Sequence, residues 1–140
     1  MAISMTDSFT IPRTLANKLL SIAQGTPDAE VCGLISKTND NKYKVYPIEN
    51  IAKEKSCVFE MEPQQQIHAF KNMREEQEAL FGIFHSHPHS DALPSTKDMD
   101  EASYSDALNI IISLDTKGVL DMRGYFYNNR TFTPVELTID

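Results

Sequence analysis

One short segment of the chain combines two histidines, a serine and an aspartate behind an apolar run at residues 80–84 that predicts a strand. Side chains alternate across a strand, so His85 and His87 point to one face and Ser86 to the other. We expect the strand to stop at Pro88, because proline cannot donate to a β-ladder. The two imidazoles therefore lie at a strand end, close enough to bind one ion.

A carboxylate follows at the distance that would complete such a site. Ser95 to Asp98 has the spacing of a first helical turn, which carries Asp98 back over the strand end. Two neutral imidazoles and one carboxylate form a three-ligand zinc site and leave the fourth tetrahedral position open for water. Structural zinc sites are closed by four ligands and usually include cysteine, and no cysteine falls near this pair. The pattern predicts a catalytic zinc site of His85, His87 and Asp98, with one ion per chain.

The same residues also have simpler interpretations. Alternating histidines occur on exposed strands, and Ser95-Thr96-Lys97-Asp98 has the spacing of a capping box. Taken alone, capping explains this spacing at least as well as metal ligation, and both place Asp98 in the first helical turn. The histidine pair upstream favours the metal site. His89, which follows in the loop, and His68, which lies in a predicted helix, are expected at the surface.

His85-Ser86-His87-Pro88, followed by Ser95 and Asp98, resembles the motif of the JAMM (MPN-plus, JAB domain) metallopeptidases. That motif also needs an upstream glutamate at the start of a strand, and Glu30, before Val31-Cys32-Gly33, supplies one. The resemblance runs from about residue 11 to residue 137, without a departure at any key position. It is greatest to the compact stand-alone prokaryotic members.

The resemblance implies a zinc metallopeptidase in which Glu30 is a general base and not a ligand. Glu30 would take a proton from zinc-activated water and pass it to the departing amine. Ser95 would donate a hydrogen bond to the oxyanion of the tetrahedral intermediate. The implied substrate is an amide or isopeptide bond after the C-terminal glycine of a ubiquitin-like protein, in compact members a small sulfur carrier. Such a tail commonly binds by adding a strand to an exposed edge, which we expect residues 53–60 to provide.

Three other functions fit part of the pattern. A zinc nucleoside deaminase needs a Pro-Cys-x-x-Cys pair, whereas Cys32 and Cys57 are far apart. Two histidines and a carboxylate also bind iron in oxygenases, but that function leaves Glu30 and Ser95 without roles. The main alternative is a non-catalytic MPN-type interaction scaffold, since the same fold serves that purpose in relatives that lack the motif. The intact motif argues against it.

Length and charge limit the remaining possibilities. A chain of 140 residues predicts one domain, residues 1–140. A net charge of -7 argues against nucleic acid or an anionic membrane as the main partner. Neither a signal peptide nor an apolar run of membrane-spanning length is evident. We therefore expect a cytoplasmic protein with Cys32 and Cys57 reduced, a Cys32–Cys57 disulfide being the alternative.

The predicted architecture is α/β (α+β), a mixed β-sheet flanked by helices, and the resemblance implies the cytidine-deaminase-like JAMM/MPN fold. Residues 1–9 are predicted as a loose lead. The second helix is expected to bury Ile67 and Phe70. The predicted helices are 12–25, 63–79 and 95–103, and the predicted strands are 30–37, 42–48, 57–61, 80–86, 107–114, 119–127 and 131–138, with turns at 39–41 and 128–129.

Overall fold

The computed structural model describes residues 8–101, 107–116, 120–128 and 131–140. Its strands are β1 (Ser8–Ile11), β2 (Cys32–Lys37), β3 (Tyr43–Ile48), β4 (Ala79–His87), β5 (Leu108–Ser113), β6 (Asp121–Asn128) and β7 (Thr131–Ile139). Its helices are α1 (Arg13–Gly25), α2 (Pro63–Glu75) and α3 (Thr96–Glu101). The strands form one sheet in the order β1-β7-β6-β5-β4-β2-β3, which is parallel at β1/β7 and β4/β5 and antiparallel elsewhere. The predicted mixed sheet with flanking helices is confirmed.

Strand β4 lies inside the sheet, between β2 and β5. Its central and final residues are buried, as its continuous apolar composition predicts. The strand ends at His87, directly before Pro88, as expected. The register pairs Cys32 with His85 and Ser113 with His87. The end of β4 is therefore enclosed by two neighbouring strands.

Helices cover both faces of these central strands. On one face, Leu15 and Leu19 of α1 belong to a core cluster that includes Phe84. On the other face, Ala69 and Met73 of α2 pack in a cluster with further residues of β2 and β4. Burial on both faces keeps the end of β4 in a fixed position. Among the described helices, none has the length and apolar character that crossing a membrane requires.

The predicted third strand, 57–61, is wrong. Residues 57–60 have no regular secondary structure, and Met61 forms only an isolated bridge with Asn50. The side chain of Asn50 accepts a hydrogen bond from the backbone N–H of Glu60 and donates one to the carbonyl of Val58. These bonds replace the ladder that a strand would need.

The second helix is shorter than predicted and buries other side chains. It ends at Glu75 instead of residue 79, because Gln77 adopts a left-handed conformation with φ of 59°. The N–H of Glu78 then bonds to the carbonyl of Met73, which completes a Schellman cap without the usual glycine. Ile67 is 59% exposed, since it lies roughly 200° around the helix from the buried Ala69. The Phe70 side chain is partly buried, as expected.

Other differences lie at the ends of the elements. The last two residues of the predicted lead, Ser8 and Phe9, belong to β1, which pairs with β7 and is too short to show a clear period in the sequence. Strand β2 begins at Cys32, so Glu30 precedes it. The turn at 39–41 is confirmed, with a left-handed Asn41. The predicted end of the third helix at residue 103, the predicted strand start at residue 119 and residue 129 of the predicted turn lie outside the described residues.

Gly82 allows β4 and β5 to approach closely. A Cβ atom added at this position would lie 2.7 Å from the carbonyl oxygen of Leu108, a backbone atom that cannot swing away. Gly82 is therefore required by the packing of the strand that carries His85 and His87.

We expect Gly82→Ala to lower the free energy of unfolding by about 1 to 3 kcal/mol, because the added methyl overpacks two backbones. Gly25→Ala is the matched control, since a Cβ there meets nothing within 4 Å. Gly25 ends a helix, so its replacement should be neutral or slightly stabilising. Denaturant unfolding measures both variants, and equal stability would contradict this interpretation.

Candidate metal centre and active site

The last residues of β4 bring two imidazoles together. His85 and His87 are buried, and their Nε2 atoms lie 3.2 Å apart on one face of the strand. Between them, the N–H of Ser86 donates to the carbonyl of Val31, and the Ser86 Oγ accepts a hydrogen bond from the Val31 N–H. Ser86 therefore joins the end of β4 to the segment before β2, beside the two imidazoles.

Asp98 completes the group from the first turn of α3. Its Oδ2 atom lies 3.2 Å from the Nε2 of His85 and 3.1 Å from the Nε2 of His87. The same oxygen accepts a hydrogen bond from the Ser95 N–H, and the Asp98 N–H donates to Ser95 Oγ. The predicted capping box and the predicted cluster are thus both present, and they share one carboxylate oxygen. Because Ser95 Oγ accepts the capping bond, its O–H is left to donate.

The loop between Pro88 and Ser95 is anchored to the sheet. The Tyr125 hydroxyl donates to the carbonyl of Ala92, and the Ser113 hydroxyl donates to the carbonyl of Ser90, each at 2.6 Å. These bonds to β5 and β6 fix the path of the loop, and hence the place where α3 begins.

The orientation of His87 is set by its other ring nitrogen. Nδ1 lies 2.7 Å from the carbonyl oxygen of Asp91. A carbonyl oxygen only accepts, so Nδ1 carries the hydrogen and the neutral ring presents the lone pair of Nε2 to the cluster. Metal-binding histidines typically have such an outer partner.

The three atoms fit a metal ion. Ligand atoms about 2.0 to 2.1 Å from a tetrahedral zinc ion lie roughly 3.3 to 3.4 Å from one another, close to the 3.1 to 3.2 Å found between His85, His87 and Asp98. Burial raises the pKa of Asp98, but hydrogen bonds from the two imidazoles, when they carry a hydrogen on Nε2, hold that pKa well below its usual range. A single shared proton satisfies one pair of these atoms, whereas a divalent cation attracts all three.

Glu30 adds a second carboxylate to this pocket. It lies before β2, is only 4% exposed, and has a carboxylate oxygen within 4.8 Å of the donor atoms of His85, His87 and Asp98. Its Oε1 has no hydrogen-bond partner among the described residues. Burial raises the pKa of Glu30 to about 7, with His87 opposing the rise and Asp98 adding to it. The structure thus brings Glu30, His85, His87 and Asp98 into one buried group.

A loop that the sequence predicted only as a substrate-binding edge covers one imidazole. Residues 51–60, called loop 51–60, place the ring of Phe59 against that of His85, with centroids 4.5 Å apart and an interplanar angle of 27°. A groove of about 450 Å³ lies beside it, between this loop and Lys97. The short apolar run at residues 57–59 predicted a strand and concealed this contact.

The expectation that residues 53–60 add a strand to a bound tail is not supported by their conformation. The Val58 N–H donates to the carbonyl of Glu54, and the Val58 carbonyl accepts a hydrogen bond from Asn50. Both backbone groups of Val58 are therefore already paired, the N–H within the loop and the carbonyl with Asn50.

The exposure of the remaining histidines and the reduced state of the cysteines agree with the sequence predictions. His68 and His89 are exposed. Cys32 and Cys57 are both free, so the alternative disulfide is absent. Cys32 is buried, and burial, followed by the nearby charge of Glu30, raises its pKa to about 12.

Comparisons with known proteins agree with this geometry. Residues 12–125 match the model of a family described as prokaryotic homologs of the JAB domain. The chain is 32% identical over 95 residues to the desampylase of Haloferax volcanii, and the matched segment covers 66% of this chain and 68% of the relative.

Solved structures show the same fold. Protein DSY2949 from Desulfitobacterium hafniense is 28% identical, with a TM-score of 0.78 over 94% of this chain and 92% of the other. The JAB1/MPN domain protein AF2198 from Archaeoglobus fulgidus is 19% identical, with a TM-score of 0.58 over 98% of each chain. The JAMM/MPN fold implied by the motif is confirmed. The chain belongs to the family of prokaryotic homologs of the JAB domain.

Proposed function

We propose that this protein is a zinc-dependent metallopeptidase that hydrolyses an amide or isopeptide bond after the C-terminal glycine of a ubiquitin-like protein. The observation that carries the proposal is the convergence of His85, His87 and Asp98 beside a buried carboxylate without a hydrogen-bond partner. Family membership and a relative named desampylase suggest a metal-dependent isopeptidase. Zinc, the substrate and the residue roles are our proposal.

His85, His87 and Asp98 would hold the ion through Nε2, Nε2 and Oδ2. A set of three protein ligands is typical of catalytic rather than structural zinc sites. Bound zinc supplies an activated water, because it lowers the pKa of that water to about 7. The bond from His87 Nδ1 to the Asp91 carbonyl keeps the ring in the tautomer that ligation needs.

Glu30 would act as the general base. A base works best when its pKa lies near the working pH, and in the metal-free protein burial raises the pKa of Glu30 to about 7, well above that of an ordinary glutamate. Its unpartnered oxygen has no competing hydrogen bond to break before it accepts a proton. Glu30 would then return this proton to the departing amine.

Ser95 would stabilise the charge that develops on the substrate carbonyl oxygen. Its Oγ accepts the N–H of Asp98, so its hydroxyl hydrogen can be donated to that oxygen. Removing a donor of this kind typically raises the barrier by about 3 kcal/mol. The capping bond already fixes the Ser95 side chain, so its hydroxyl does not have to be repositioned during the reaction.

The groove beside Phe59 is the proposed entry for the substrate tail. It lies between loop 51–60 and Lys97, the neighbour of Asp98 in sequence. An extended chain that ends in small residues is thin enough to reach buried atoms, which fits a tail ending in glycine. A small ubiquitin-like sulfur carrier is the substrate we propose.

A non-catalytic scaffold is less well supported. A buried carboxylate without a partner destabilises a fold, and proteins retain such features mainly at functional sites. Glu30 is a feature of this kind, and a scaffold has no use for it.

The test is cleavage of fusions between a panel of ubiquitin-like sulfur carriers and short C-terminal tails, followed by mass detection. Cleavage is expected after the final glycine. Chelation should abolish it, and Glu30→Gln should reduce it at least about 100-fold while zinc stays bound. Absence of cleavage from wild-type protein with one zinc bound would contradict the proposed substrate, and absence of zinc would contradict the catalytic mechanism.

Asp98→Asn should lose most of its zinc, because the amide removes the negative charge among three ligands. Asp91→Asn is the matched control, since Asp91 contacts His87 only through its backbone carbonyl. Zinc per chain is measured after exhaustive dialysis. Equal zinc content in the two variants would exclude Asp98 as a ligand.

In metal-free protein, Glu30→Gln should become more stable relative to wild type as pH rises. The folded wild type, with a pKa of about 7 against 4.5 for an ordinary glutamate, holds a proton that the unfolded chain has released between these values. Wild-type stability therefore falls through this window, by about 2 to 3 kcal/mol relative to the variant. Denaturant unfolding with chelator at both ends of the window measures this, with the exposed Glu136→Gln as control. A difference independent of pH would contradict the burial of an unpaired carboxylate.

A further inference from the structure

Asn50 uses the whole hydrogen-bonding capacity of its side chain on the backbone around the site. Its Nδ2 donates to the carbonyls of Glu30 and Val58, and its Oδ1 accepts from the N–H groups of Ala52 and Glu60, all four at 3.0 Å. An asparagine amide has two donor hydrogens and two acceptor lone pairs. One side chain therefore joins both ends of loop 51–60 to the residue that carries the proposed base.

Loop 51–60 has few other ways to keep its shape. The Ile51 N–H donates to the carbonyl of Glu60 at the neck of the loop, and Glu54 accepts from the N–H groups of Cys57 and Val58. Near the tip of the loop, the carbonyl of Lys55 accepts a hydrogen bond from the N–H of Glu30. The Asn50 amide joins the two sides of the loop near its base, since it binds both Ala52 and Glu60.

The first group that depends on this arrangement is Glu30. Its carbonyl is held by Asn50, and its N–H donates to the carbonyl of Lys55 at 2.6 Å. Its carboxylate Oε1 has no hydrogen bond of its own. The position of the carboxylate is therefore set by its backbone, and loop 51–60 with Asn50 holds both polar groups of that backbone.

The second group is Phe59. It lies between Val58 and Glu60, the two residues whose backbone groups bind Asn50. The Phe59 ring stacks on His85, which limits rotation of the imidazole and shields that face from water. The contact between Phe59 and His85 is kept only while loop 51–60 keeps this conformation.

We propose that Asn50 is a positioning residue that holds Glu30 and Phe59 in place beside the metal centre. The inference rests on the proposed function for its catalytic consequence, but its structural part is independent of it. A residue that only stabilised the fold would change unfolding without changing kcat. Replacing Asn50 should instead displace the proposed base, Glu30, in a chain that is still folded.

The structural part is tested by backbone hydrogen exchange in metal-free protein. In Asn50→Ala, the amides of Glu30, Ala52 and Glu60 should exchange at least about tenfold faster than in wild type. Amides of β4 and β5 report that the core is intact. Asn72→Ala is the matched control, because it removes a half-buried amide that donates to the Tyr46 hydroxyl, away from the site.

The catalytic part is tested with Asn50→Asp, which keeps the acceptor but loses both donor bonds to Glu30 and Val58. We expect kcat to fall at least about tenfold with zinc still bound, since small displacements of a reacting group have large effects on rate. KM should change much less, and Asn72→Ala should keep wild-type kcat.

Unchanged exchange at Glu30 and Glu60 in Asn50→Ala would overturn the inference, as would unchanged kcat in the zinc-loaded Asn50→Asp. An equal loss of kcat in Asn72→Ala would also overturn it, by showing that lost stability is sufficient. Because exchange is measured without metal, it decides the structural role even if wild type cleaves none of the fusions. That last result would count against the proposed function alone.

Discussion

Mutual repulsion among three electron-rich atoms is the constraint on which this site depends. The Nε2 atoms of His85 and His87 and the Oδ2 of Asp98 lie 3.1 to 3.2 Å from one another in a buried pocket. Lone pairs at such distances need a cation or shared protons between them. Backbone and side-chain bonds to Val31, Asp91 and Ser95 hold the group together from outside. The rest of the fold resists the separation that repulsion favours.

The sheet supplies that resistance through its order. Because β4 pairs with β2 on one side and β5 on the other, its last residues cannot move without breaking two ladders. Close packing at Gly82 brings β5 near β4. Ser113 of β5 in turn anchors the loop that leads to Asp98. Strand pairing and side-chain chemistry thus act on the same few residues.

Much of this could be predicted from the sequence because the signals were local. The apolar run before His85, the stop at Pro88 and the spacing from Ser95 to Asp98 each follow from nearby residues, and the structure brings them together with Glu30. Asn50 could not be recognised in this way, since its partners lie up to twenty residues away and any asparagine after a strand reads as a turn. The contact of Phe59 was missed for a related reason. Its neighbours favour a strand, whereas the bonds from Asn50 and the turn that pairs the Val58 N–H with the Glu54 carbonyl keep them out of one. The early end of α2 has its cap at Gln77, which carries no sequence signal comparable to glycine.

The shared Oδ2 atom of Asp98 would link the binding of a cation to the formation of helix α3, two events that are usually separate. Helix α3 spans six residues, Thr96–Glu101, and a helix of that length does not persist without external support. The carboxylate that binds the Ser95 N–H at its first turn is the same one that faces both imidazoles. A cation bound to this carboxylate would therefore lower the cost of nucleating the helix, and an ordered helix would hold the carboxylate in the orientation that binding needs. By thermodynamic linkage, occupancy of the proposed metal site and helical order at Thr96–Glu101 would rise and fall together.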